Sequence, residues 1–199
     1  TSWQVFADTP GKTGHRWWLW VFLAADSVLF VMDPTRSAAV LESHLGVSRE
    51  DGKLPEGRHL VLSTDFYTAY QSLARMDGVH PLWCWAHMRR YFLRAADGDE
   101  QLRYWADVWI RRIADLYLAH RAMAAAALGT AEYTSASQKF EQALQVMDTA
   151  RKEEAQIYSL RPAARKVLAT LDHEWDGLAA HRDFPDIARA YDELSGKIH

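Results

Sequence analysis

Cysteine is almost missing. Cys84 stands alone in 199 residues, so no internal disulfide can form, stability must come from packing, and a single thiol fits a reducing compartment. Charge of one sign is missing too. The formal net charge is -3, shared similarly between the two halves, so no basic or acidic tail names a partner and any nucleic-acid contact must come from local patches. Long apolar runs are absent: the longest, Trp17 to Ala25, is about half of what a membrane span needs. No secretory leader is visible, and the chain opens at Thr1 without methionine, which sets the expectation of a fragment or trimmed chain. No internal repeat or low-complexity segment occurs. The "GKTG" around Lys12 lacks the full phosphate-loop pattern and its following helix, and reads as a hairpin turn. Cys84 and His87 have the separation of half a zinc site, but no second Cys or His pair matches them, so structural zinc is not expected.

What is present divides into two zones. Apolar residues make up 49% of the chain, enough to bury a core. In the first zone, "RWWLWVFLAA" (Arg16 to Ala25) is continuously apolar, as expected of a strand covered on both faces. Asp26 and Ser27 can turn it into a second strand, Val28 to Met32, making a hairpin. "DPTRSAAVLESHLG" has a capping hydroxyl at Thr35 or Ser37, an apolar face of Ala38, Leu41 and Leu45, and Gly46 as terminator, so it reads as a helix. "SREDGKLPEG" reads as surface loop. There follow a strand, His59 to Ser63, a helix from about Phe66 to Arg75, a strand through "HPLWCW" and a helix starting near His87.

The second zone, from about Gln101, is helical. Trp105, Trp109, Ile113 and Leu116 recur at three- and four-residue steps, as do Phe140, Leu144 and Met147, and then Val167, Leu168, Leu171, Trp175 and Leu178 after Pro162. These stripes read as faces of three long helices packed on each other, an antiparallel bundle. The order of elements suggests an α/β fold with a mixed sheet and helices against it, compatible with a ribonuclease H-like core spanning 1–100 and a large α-helical insertion with a final helix over 101–199, all one domain.

Asp65, in "HLVLSTDFYTAYQ", has two readings. Asp before a helix is a favoured N-cap. An acid at a strand end in such a core can instead help hold the two divalent cations that clamp the attacking and leaving oxygens of a phosphodiester. Cys84, set between two tryptophans, reads as a buried inert thiol. Arg89, Arg90 and Arg94, extended by Arg103, Arg111 and Arg112, form a local basic run that is either a solvated helix face or a phosphate-binding one.

Three stretches, "GHRWWLWVF", "STDFYTAY" and above all "CWAHMRRYF" (Cys84 to Phe92), resemble the insertion sequence sixty-six family of bacterial transposases. The resemblance covers nearly the whole chain and weakens over about the last fifteen residues. It implies a DDE-type catalytic core, metal-assisted phosphoryl transfer at transposon ends, and strand transfer into target DNA. It implies magnesium or manganese as cofactor, DNA as partner with a homo-oligomer as an option, and a DNA-associated place in the bacterial cytoplasm. Carried over by position, Asp65 matches the second catalytic, metal-binding carboxylate, and Arg89 and Arg90 match DNA-backbone contacts with His87 as an accessory polar group. The family's first carboxylate would fall just before Thr1. Asp8, in "FADTP", reads as turn chemistry. The family's paired Asn followed by Glu-Arg would fall near the end, where Asp192 and Glu193 lie outside the motif. With one of three carboxylates visible, the expectation is a segment cut at both ends and inactive alone. The alternatives are a non-enzymatic remnant limited to folding, association or non-specific DNA binding, and an unrelated α/β small-molecule binder.

Overall fold

The computed structural model describes residues 2–4, 16–24, 26–184 and 187. Asp8, Lys12, Asp192 and Glu193 lie outside them. The chain divides into two compact units, one of residues 1–60 and 67–79, the other of residues 61–66 and 80–199.

The first unit is built on a three-stranded antiparallel sheet in the order β1 (Ser2–Gln4), β2 (Arg16–Leu23), β3 (Val28–Asp33). The expected hairpin forms, with the Ala24 amide donating to the Ser27 carbonyl and Val21 opposite Phe30. Its continuous apolar character misleads about cover: Trp20 is the only residue of β2 that is buried, while Val21 and Leu23 are exposed. Trp20 is fixed by its indole N–H to the Thr35 carbonyl at 3.3 Å and by an edge contact with Tyr70. Helix α1 (Ala38–Leu45) forms where the sequence places it, with Gly46 at φ 62° closing it and Ser37 at the N-cap position, though the Ser37 hydroxyl makes no capping bond to the helix. The short helix α2 (Thr68–Leu73) has Tyr67 at its N-cap position, so the cap does not fall on Asp65. Gly78, at φ 87°, is required twice over: a Cβ there would meet the Arg58 carbonyl oxygen at 3.2 Å and the Leu54 side chain.

The second unit holds the helical block, whose elements are α3 (Trp85–Gly98), α4 (Arg103–Ala125), α5 (Ala131–Ala155), α6 (Pro162–His173) and α7 (Trp175–Ala179). The stripes bury as their periodicity demands: Trp109, Ile113, Met147, Leu171 and Leu178 are fully enclosed. Helices α4 and α5 run antiparallel, since Trp105 and Trp109 at one end of α4 donate to Glu154 at the far end of α5, while His120 meets Phe140 nearer the connecting turn. Glu154 also accepts from Arg112 at 3.0 Å, so one half-buried carboxylate joins the two helices through three donors. Gly177 on α7 is a close approach: a Cβ would stand 2.4 Å from Cδ1 of the buried Trp83.

Strands β4 (Leu60–Thr64) and β5 (Val79–Trp83) form a separate two-stranded sheet. In the described ladders β1 pairs with β2 and β4 with β5. Among the described residues no helix is long and apolar enough to cross a membrane.

Candidate functional site

Strand β4 ends at Thr64, whose carbonyl accepts the Cys84 amide at 2.9 Å. That bond brings the residue following β4, Asp65, level with the start of α3. Cys84 is not a strand residue enclosed by its tryptophans, as the sequence reading had it. It is the N-cap of α3, partly exposed, and its carbonyl accepts the His87 amide at 3.0 Å. The helix therefore starts at Trp85, two residues before the expected start, because Trp85 is itself a core anchor: it is buried, its indole N–H donates to the Leu178 carbonyl at 2.9 Å, and its ring meets Trp175 edge-on.

His87 falls in the first turn of α3, with Nε2 3.9 Å from Oδ2 of Asp65, and both side chains are about one third exposed. A carboxylate facing the first turn of a helix also meets the positive end of the helix dipole. Among the described residues His87 Nδ1 and Thr64 Oγ1 are buried with no hydrogen-bond partner, which marks this corner as polar and under-satisfied.

The arginines separate by helix geometry. Buried Trp85, Met88, Phe92 and Ala95 define the inner face of α3. At 100° per residue, Arg90 lies about 60° from His87 and one turn along, whereas Arg89 lies about 160° from it. Arg94, one turn further, continues the Arg90 flank. All three are exposed and carry no ion pair among the described residues. The rest of the run is partly committed elsewhere. Arg112 is held by Glu154 and lies 4.6 Å over the Trp109 ring, and Arg103 pairs with Glu100.

Behind Asp65 and His87 opens a cavity of about 290 Å3, wholly within the second unit, lined by Ser63, Thr64, Leu82, Cys84, Trp85, Leu116, Tyr117, His120, Arg121, Phe140, His181 and Ile187 as well. Its second wall was not read from the sequence as functional. A signal existed: His120 occupies the next position of the stripe Ile113, Leu116, Met123, where an apolar residue would be expected. His181 is half-buried, its Nε2–H donates to the Trp83 carbonyl at 3.0 Å, and its ring lies 6.0 Å from that of His120. Burial holds the His181 pKa below the ordinary imidazole range, against the smaller opposing effect of that hydrogen bond. Nothing in the local sequence "LAAHRDF" announces this placement, because it depends on α7 returning to β5.

Residues 1–188 match the family profile described as Transposase IS66 family. The chain belongs to that family of transposases. No curated protein and no solved structure matches it. A transposase of the DDE type implies divalent cations, and the donor set can be tested against that requirement. Among the described residues Asp65 is the one carboxylate lining this corner, His87 lies 3.9 Å from it, and no group of three or more His, Cys, Asp or Glu is placed to hold a metal ion. Two hard cations about 3.5 to 4 Å apart need several carboxylate oxygens. The described residues by themselves do not fit that pair.

Proposed function

We propose that this chain is a catalytic-core segment of a bacterial DNA transposase, in which Asp65 is one carboxylate of a ribonuclease H-like, DDE-type centre and α3 presents that centre to the DNA backbone. The observation that carries the reading is the juxtaposition of Asp65 and His87 at the start of α3, with the unpaired Arg90 one turn beyond. A phosphate held by Arg90 and Arg94 would lie along the flank that leads to His87 and Asp65. Arg89, on the other side of the helix, would take a separate backbone contact. Magnesium or manganese belongs to this reading as the family's cofactor. With Asp65 the one carboxylate at the site among the described residues, the chain alone binds at most one cation weakly and does not cut DNA. The bacterial cytoplasm is the matching location.

That same donor count favours a second reading, a non-enzymatic remnant limited to folding, association or non-specific DNA binding. Both are tested by incubating supercoiled plasmid and labelled duplex with the purified chain, with Asp65→Ala and with the full encoded product, in magnesium or manganese. The expected result is salt-sensitive duplex binding by the chain without nicking. Nicking by the full product that Asp65→Ala abolishes supports the enzyme. Nicking there that survives Asp65→Ala removes Asp65 from the chemistry. Failure of the chain to bind duplex even at low salt removes α3 from the DNA interface.

A further inference from the structure

The cavity beside Asp65 is too large for a cation alone and has the wrong chemistry for a phosphate. It measures about 290 Å3, and an apolar void of about 150 Å3 already accommodates a benzene ring. One flat ring system fits; a segment of duplex does not. Leu116 and Phe140 give it apolar wall, and Tyr117, 39% exposed, gives it an aromatic surface that solvent reaches. A phosphate entering here would lose its water to apolar side chains and meet the Asp65 carboxylate, both unfavourable. Arg121 also lines the cavity and is exposed, which suits a phosphate left outside. His120, tilted against Phe140 with ring centroids 5.4 Å apart, adds an imidazole able to donate or accept a hydrogen bond.

We propose that this cavity takes one unstacked nucleobase of the bound DNA, its ring against Tyr117 and its phosphate left outside by Arg121. The proposal rests on the reading of Asp65 as part of a DNA-processing site, and it adds what that site takes in. Withdrawing a base from a duplex costs stacking and pairing, least where the base is already unpaired, and stacking on an aromatic side chain offsets part of that cost. The site therefore favours DNA carrying an unpaired base over fully paired DNA of the same length.

The test measures dissociation constants of the purified chain for two short duplexes, one fully paired and one with a single unpaired adenine, by fluorescence anisotropy of an end label. The unpaired base is expected to tighten binding about ten-fold, the scale of one base stacked on an aromatic ring. Tyr117→Phe is expected to keep that preference, while Tyr117→Ala loses it and still binds the paired duplex. Ser63→Trp, at an exposed position of the cavity edge, narrows the cavity, removes no stacking partner and also loses the preference. Equal binding of the two duplexes by the unaltered chain overturns the base site and leaves the transposase reading intact. So does a preference that survives both Tyr117→Ala and Ser63→Trp, which would report only the flexibility of the DNA. Loss of all duplex binding by the unaltered chain overturns both.

Discussion

The β2–β3 hairpin and the α4–α5 pair are both rich in large apolar side chains, and they come out in opposite conditions. On one face of the hairpin, Val21 stands opposite Phe30 and Leu23 opposite Val28, and all four are exposed, Phe30 at 65%. In the helix pair, Trp109, Ile113 and Met147 are at 0%. The difference lies in what each pattern specifies. A helical stripe with polar residues around it names one direction for burial, and a neighbouring stripe of the same kind satisfies it. A strand that is apolar at every position names no inner face, so its composition says that it can be buried without saying which side will be, or by what. Burial in the hairpin follows instead from single attachments, chiefly Trp20 to Thr35 and Tyr70.

That contrast breaks most visibly at Trp109. It is fully enclosed, stacked on Phe92 with ring centroids 5.1 Å apart, and donates to Glu154 at 2.8 Å. Trp109→Ala is expected to cost about 4 kcal/mol, combining a large cavity with a lost partner for Glu154. The midpoint of urea unfolding followed by circular dichroism checks it, and a loss below about 1 kcal/mol would mean that the helix pair is no better packed than the hairpin.

A smaller effect comes from His181. Its folded-state pKa is depressed by burial, so its neutral form is favoured in the fold. The stability linked to it is fully present above the ordinary imidazole value of about 6.5 and is lost as pH falls through the lower folded value. His120, at 6.0 Å, together with His87, Asp65 and Arg121 around the same cavity, shares that field. Thermal unfolding between pH 8 and pH 5 should show a decline that is shallower in His181→Gln, and parallel curves for the two proteins would rule out this group as its source.

The smallest effect is expected in the hairpin. Phe30→Thr keeps β propensity and removes an exposed ring, so unfolding should shift by no more than about 0.5 kcal/mol. Solubility at high concentration should rise, because an exposed apolar edge strand invites pairing with other chains. A loss of several kcal/mol on urea unfolding would show that this face is covered in solution.

Much of the local structure was written in short-range chemistry. Gly46 ends α1 because a left-handed residue closes a helix cheaply only without a Cβ, Pro162 opens α6 because its missing N–H is not needed there, and the three- and four-residue steps of α4, α5 and α6 gave both their helicity and their buried sides. Asp65, His87 and the arginines were also visible, through the spacing of "STDFYTAY" and "CWAHMRRYF" and the family they resemble. Tertiary structure decided the rest. It made Cys84 a helix cap rather than a strand residue, because Trp85 is drawn into the core against Leu178 and Trp175. It brought His120 and His181, sixty-one positions apart, to ring contact beside Asp65. Periodicity reports which side of an element turns inward. It carries no information about which distant element arrives there, because that is settled by packing between segments whose separation along the chain leaves no local trace.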